Sequence, residues 1–205
     1  MKIQRITYLS LGSNLGEKLD LLQKSIFLID ERIGSIKKIG SVYKTQALGF
    51  DGEDFLNTCL KVSTYLPPEK LLETILDIEK ELGRERKEKE GYQNRTIDID
   101  ILFFDDEIIF SQNLMIPHTK MLKRKFVLAP LNDVASNFIH PVVKKRVYEC
   151  LKHCTDDSEI HQTDHILDRP IPLTEKYNYI AIEGNIGAGK TSLANLISDE
   201  FNAKV

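Results

Sequence analysis

Apolar residues along this chain switch between the alternate spacing of a strand and the three-to-four spacing of a helix, and the switches mark out its elements. Ile6 to Leu11 predicts a first strand, ended by Gly12-Ser13-Asn14. Leu19, Leu22, Ile26, Ile29 and Ile33 then follow at helical spacing, so a helix is expected from about Gly16 to Ile33. Ser35 to Lys44 and Phe55 to Tyr65 predict two more strands, joined by the polar, glycine-bearing loop Thr45 to Asp54. Pro67-Pro68 opens a second helix carrying Leu71, Leu72, Ile75, Ile78, Glu79 and Leu82, with Gly83 as its stop. After a charged stretch comes the alternating strand TIDIDILFF, Thr96 to Phe104. Ile108 to Phe110 predicts a small hairpin after the Asp105-Asp106 turn. Pro117 to Asp133 predicts a loop and helix, with a strand piece at Phe126 to Leu128.

The resulting order, β-α-β-β-α-β, is that of the ferredoxin-like α+β plan: an antiparallel sheet with both helices on one face and the other face left for ligands or added segments. In the last strand Ile97, Ile99, Ile101 and Phe103 share one face and enter the core, while Asp98 and Asp100 stand together on the open face. Adjacent carboxylates repel unless a cation, a proton or solvent relieves them. Magnesium favours carboxylate oxygens beside substrate phosphates. Taken alone, the pair reads equally well as a solvated polar face.

Its neighbours shift that balance. Arg84, Arg86, Lys87, Lys89 and Arg95, interspersed with three glutamates, lie just before the aspartates and suit a lid whose cations neutralise a polyphosphate. His118 and Arg124 are a second phosphate-seeking group downstream. The net charge of −3 gives no general argument for nucleic acid or an anionic membrane. Cys59, Cys150 and Cys154 are too scattered for a disulfide framework, and MKIQRITYLSLG has no signal-peptide pattern, so a cytoplasmic location is expected. The sequence itself does not reveal the oligomeric state, for which a monomer is the expectation.

Near the C-terminus, Gly184, Gly189, Lys190 and Thr191 fit the phosphate-loop pattern GxxxxGK(S/T) between a strand-like and a helix-like run. Glu183 to Ser192 resembles the opening loop of deoxynucleoside kinases. That fold needs several more strands and further groups for magnesium and nucleophile, which the residues after Thr191 do not supply. The stretch is therefore expected to be the truncated start of a P-loop α/β domain, inactive here, with the chemistry upstream. A fused deoxynucleoside kinase is expected in a longer product.

Six separated motifs carry a second resemblance: LGSNLG, TQALG with DFLN, GRERK, RTIDIDILFF, IPH, and KRKFVLAPL. In this order and spacing, over roughly residues 5 to 145, they resemble the 6-hydroxymethyl-7,8-dihydropterin pyrophosphokinases of folate biosynthesis. The family is ferredoxin-like and transfers the β,γ-diphosphate of ATP to the pterin hydroxymethyl oxygen, leaving AMP. The resemblance implies that Asp98 and Asp100 hold two magnesium ions. It places Thr45, Leu48, Phe55, Asn57 and Phe126 in the pterin pocket, although the two phenylalanines by themselves read as core residues. It assigns Glu79, Arg84, Ile101, His118 and Arg124 to ATP, and Arg84, Arg86 and Arg95 to catalysis beside the aspartates. No general base stands out.

The chain departs from the family where many members have WGPR. Here GYQNR keeps Arg95 but lacks the stacking tryptophan, with Tyr92 as the candidate substitute. Thr119 likewise replaces an aromatic residue common after the histidine. The expected organisation is a pyrophosphokinase domain at 1–145, a linker at 146–178 with a short helix around Val142 to Lys152, and the P-loop fragment at 179–205.

Overall fold

The computed structural model describes residues 3–46, 52–84, 94–170 and 179–201, and two compact units, Met1–Arg169 and Pro170–Val205, divide the chain. In the first unit the elements run β1 (Arg5–Ser13), α1 (Lys18–Arg32), β2 (Gly34–Ile39), β3 (Tyr43–Thr45), β4 (Phe55–Thr64), α2 (Pro68–Glu81), β5 (Asp98–Phe104), β6 (Ile109–Phe110), β7 (Met115–Ile116), a 3-10 turn (Met121–Lys123), α3 (Lys125–Ala135), α4 (Val147–Lys152) and β8 (Ile160–Gln162). The main sheet is ordered β5-β1-β4-β3-β8, with β2 on the same edge of β4 as β3.

The helical spacing seen in the sequence is the face that α1 and α2 bury. Leu22, Ile26 and Ile29, with Leu71, Ile75 and Ile78, pack on Leu9, Leu11, Leu60, Val62, Ile99 and Ile101. Fully burying one such side chain is worth about 1.5–3 kcal/mol. Gly83, at φ +82°, ends α2 in the left-handed conformation that glycine adopts at little cost.

The other face is partly covered by added segments, with the remainder left open. Val127, Leu128, Leu131 and Val134 of α3, with Val147 and Cys150 of α4, pack against Tyr8, Cys59, Leu102 and Phe103. Three local expectations fail for reasons visible here. Phe126 to Leu128 is helix, because the apolar run packs along one side of an α-helix instead of pairing with a strand. The strand expected from Ser35 to Lys44 breaks at Gly40, where a Cβ would lie 2.7 Å from the carbonyl of Pro130 as α3 passes. There the Gly40 amide donates to Cys59 and the Ser41 amide donates to Asp133. Finally, strict alternation in β5 stops at Leu102. Tyr8 pairs with Phe103 but Leu9 with Ile101, so Leu102 is a bulge, and Phe103 joins Leu102 on the second face instead of sharing the isoleucines' side.

The expected boundary at 145 also moves. α4 is the short helix expected there, but β8 also lies in the stretch read as linker, and the compact unit runs to Arg169, because β8 pairs antiparallel with β3, Gln23 exchanges two hydrogen bonds with the Asp168 backbone, and Leu167 is buried. In the second unit α5 (Lys190–Phe201) follows a glycine-bearing loop in which the Lys190 ammonium donates to the carbonyls of Gly184 and Asn185, at 2.7 and 2.9 Å. Thr191 lies in the first turn of α5, and Gly189 precedes it at φ +76°. The strand expected before the loop is absent among the described residues: Tyr179 to Ile182 pairs with no neighbour. A strand does not persist without a partner to satisfy its backbone.

The loop between α3 and α4 has a pH-sensitive anchor. His140, 4% exposed, meets the Phe103 ring edge-on, and its Nδ1 accepts the amides of Val142 and Val143 at 3.2 and 3.4 Å. Burial lowers its pKa, so the folded chain favours the neutral ring. Because the unfolded ring titrates near 6.5, this contribution is complete above that pH and is lost as pH falls towards the lower folded value. Between about pH 7.5 and about pH 5.5 the urea midpoint of the parent should fall further than that of His140→Asn, whose amide oxygen replaces the acceptor without titrating. Equal falls would reject the assignment.

Candidate active site

Strand register assembles the site. β1 sets Gly12 opposite both Asn57 of β4 and Asp98 of β5, and Ser10 opposite Asp100. Glycine at position 12 lets the Asn57 amide keep its place, since a Cβ there would stand 2.9 Å from the Asn57 Oδ1. Asn57 in turn donates to Thr45 Oγ1 at 2.9 Å. At the end of β1 the fully buried Asn14 accepts the Arg95 amide and donates to Asn94 and to the Glu53 carbonyl. It thereby ties the approaches to β4 and β5 to one point.

Two cavities share Asp98 and Asp100. The larger, about 610 Å³, is lined by Gly12, Thr45, Phe55, Asn57, Arg95, Arg124 and Phe126. The smaller, about 290 Å³, is lined by Glu79, Arg84, Ile101, His118 and Thr119 with Leu72 and Leu76 of α2. The two aspartates therefore occupy the junction between a hollow flanked by aromatic rings and a hollow backed by a helix and a buried carboxylate. Leu48 and Arg86, with Lys87, Lys89 and Tyr92, lie outside the described residues. The other residues singled out in this domain line one cavity or the other. Lys120, Lys123, Thr155 and Asp156 line the larger cavity as well and were not singled out beforehand. The lysines could have been suspected from the basic KMLKRK stretch. The Thr155-Asp156 pair lies in a polar tail without periodicity, so nothing in the sequence marked it.

The electrostatics differ at the two aspartates. Asp98 pairs with Arg84, 2.6 Å away, and with Arg95. Arg84 also reaches Glu79, which is 2% exposed and accepts the Ile99 amide at 2.8 Å. Asp100 has looser company, His118 Nε2 at 3.8 Å and Arg124 Nη1 at 4.0 Å. Burial, then the neighbouring Asp98, push the Asp100 carboxyl above its ordinary range against the pull of His118, Arg124 and Arg84. Burial also lowers His118, against the opposing effect of Asp100. Across the larger cavity the Arg124 guanidinium lies 5.7 Å from the centre of the Phe126 ring, and Phe55 stands at the start of β4. A flat ring fits between two aromatic side chains, and a strained carboxylate pair fits a divalent cation better than it fits water.

A model of the 7,8-dihydro-6-hydroxymethylpterin-pyrophosphokinase family matches residues 8–136. The 2-amino-4-hydroxy-6-hydroxymethyldihydropteridine pyrophosphokinase of Aquifex aeolicus is 42% identical over 143 residues, covering 69% of this chain and 88% of that protein. The bifunctional protein FolKE of Lactococcus lactis subsp. cremoris is 41% identical over 133 residues, covering 64% of this chain and 38% of that one. Among solved structures, the wild-type HPPK-DHPS of Plasmodium falciparum superposes with a TM-score of 0.63 at 18% identity, over 74% of this chain and 45% of that one, a likeness of fold alone. With its matched region spanning β1 to α3 and containing both cavities' aspartates, the chain belongs to the 7,8-dihydro-6-hydroxymethylpterin-pyrophosphokinase family.

Proposed function

We propose that this chain transfers the β,γ-diphosphate of ATP to the hydroxymethyl oxygen of 6-hydroxymethyl-7,8-dihydropterin, giving the pterin diphosphate and AMP for folate synthesis. The observation that carries this reading is the pair of cavities meeting at Asp98 and Asp100. The larger takes the pterin, with Phe55 and Phe126 against its faces and Asn57 and Thr45 at its hydrogen-bonding edge. The smaller takes the nucleotide, with Glu79, Ile101 and His118 around it. Transfer of this kind depends mostly on alignment and charge. Arg84, Arg95 and Arg124 hold positive charge around the aspartates, where the transferred phosphoryl oxygens gain charge. Asp98 and Asp100 are the residues that would hold two magnesium ions, which when bound neutralise the triphosphate and acidify the pterin hydroxyl.

The expected place of action is the cytoplasm, as a monomer; among the described residues no helix is long and apolar enough to cross a membrane. We read Gly184, Gly189, Lys190 and Thr191 as the phosphate loop of a fused deoxynucleoside-kinase-like domain, separate from this chemistry. The deciding assay supplies magnesium, ATP and the pterin and follows nucleotide products. AMP that appears only with the pterin, and equally with Lys190→Ala, supports both parts of the reading. ADP formed with deoxynucleosides instead would overturn it, as would AMP lost in Lys190→Ala.

A smaller change checks the pterin pocket. Gly12→Ala must push the Asn57 amide aside. It should raise the pterin KM about tenfold, in keeping with one displaced hydrogen bond at a binding site, and leave the ATP KM near that of the parent. An unaltered pterin KM would separate Asn57 from the pterin.

A further inference from the structure

The family match ends at residue 136, yet the chain beyond it returns to the larger cavity, where Thr155 and Asp156 line the wall beside Phe126. What it does there follows from its hydrogen bonds. α3 begins at Lys125 with Arg124 as its N-cap, and the Arg124 side chain makes no cap bond. The first amides of a helix need acceptors from elsewhere. Asp156 supplies one: its Oδ2 accepts the Lys125 amide at 2.7 Å and its Oδ1 accepts the Ser158 amide at 3.0 Å. The Lys125 ammonium closes the loop on the Ser158 carbonyl at 3.2 Å.

A few residues on, the same segment becomes β8. It sets Ile160 opposite Thr45, His161 opposite Lys44 and Gln162 opposite Tyr43. Thr163 then donates twice to the Val42 carbonyl, at 2.9 and 3.0 Å. Thr45 is the residue that holds the Asn57 amide. One short stretch therefore joins the two walls of the larger cavity: the start of α3, carrying Arg124 and Phe126, and the β3 edge behind Asn57. None of its residues lines the smaller cavity.

We infer that residues 154–163 form a strap that sets the width of the pterin cavity, with Asp156 as the positioning residue that fixes Arg124 and Phe126 by capping α3. A carboxylate at a helix N-terminus is favoured by the helix dipole as well as by the hydrogen bonds it accepts. Burial acts to raise the Asp156 carboxyl, but hydrogen bonds from Ser158 and the Lys125 amide outweigh it and hold the group below the usual range, so it stays charged at neutral pH. Without it the first turn of α3 frays, and the two residues that frame the cavity sit in that turn.

This rests on the pterin assignment above, and the test keeps the two apart. Pterin-dependent AMP formation by the parent comes first; if it is absent, the assignment of function fails whatever the strap does. With the parent active, Asp156→Ala should raise the pterin KM about five- to tenfold, the range of a lost helix cap, while the ATP KM stays within about twofold. Asp156→Asn keeps an oxygen acceptor and should restore most of the loss. Asp157→Ala, at the exposed neighbour, should behave as the parent does. Should Asp156→Ala fail to fold, Lys125→Ala removes the ammonium bond to Ser158 but keeps the helix amide; it should raise the pterin KM about threefold. A pterin KM unchanged in these variants, or both KM values rising together, would overturn the strap's role.

Discussion

Asp98→Ala and Asp100→Ala should each reduce AMP formation by at least about 10²–10³-fold, the scale of losing a preorganised charge at a reacting centre. Their stabilities should move in opposite directions. Asp98 is held between Arg84 and Arg95, so its removal frees two guanidinium groups and lowers the urea midpoint. Asp100 is half-buried beside another carboxylate and is disfavoured as an anion, so its removal relieves repulsion and raises the midpoint at neutral pH. A group retained at a cost to the fold is what a reacting centre contains. Steady-state rates and urea titrations on the two variants check both halves. Turnover within tenfold of the parent would remove these residues from the chemistry, and a fall in stability in Asp100→Ala would remove the argument from repulsion.

The largest structural effect is expected at Glu79. It is almost wholly buried, it accepts the Ile99 amide, and it holds Arg84 against Asp98. Glu79→Ala leaves a buried amide without this acceptor and a half-enclosed guanidinium without its deeper partner, a loss of about 3 kcal/mol by analogy with broken buried pairs. Glu79→Gln keeps an oxygen for Ile99 and should recover about half of that. Because Arg84 stands at the junction of the two cavities, the ATP KM should rise with both substitutions. Urea unfolding separates the cases, and a loss under about 1 kcal/mol for Glu79→Ala would mean that water or another side chain takes the place of the carboxylate.

These contrasts also mark how far the sequence could be read. The sheet and its two helices were legible because Leu22, Ile26 and Ile29, or Leu71, Ile75 and Ile78, leave one apolar stripe that only a sheet face can cover. Asp98 and Asp100 were legible because alternation puts them together. α3 was misread at Phe126 to Leu128 because a short apolar run satisfies either period, and packing against Tyr8, Cys59 and Phe103 decides between them. The bulge at Leu102 left no local mark, since it appears only in the pairing of β5 with β1. Asp156 and β8 were invisible for a similar reason. A three-residue polar strand has no pattern, and its partners lie more than a hundred residues away in β3. Among the candidate site residues, only Asp98 and Asp100 could be read from spacing; Thr45, Phe55 and Asn57, though on strands, came from the family resemblance, and Asp156, on an irregular segment, from neither.

The bulge in β5 has one more effect, on what kinds of genetic change this enzyme tolerates. Asp98 and Asp100 at one end of the strand and Phe103 at the other lie on the same side of the sheet only because Leu102 is counted in without a partner. Point replacements among the apolar residues here change volume but not direction, so the orientation of the carboxylates survives them. Losing Leu102 would only turn the bulge into regular alternation, with Phe103 still opposite Tyr8, whereas a further residue gained between Asp100 and Phe103 would turn either the aspartates into the isoleucine core or Phe103 away from Tyr8 unless the bulge widened to hold it. The number of residues between Asp100 and Phe103, more than the identity of any apolar one among them, sets which face each of these side chains takes.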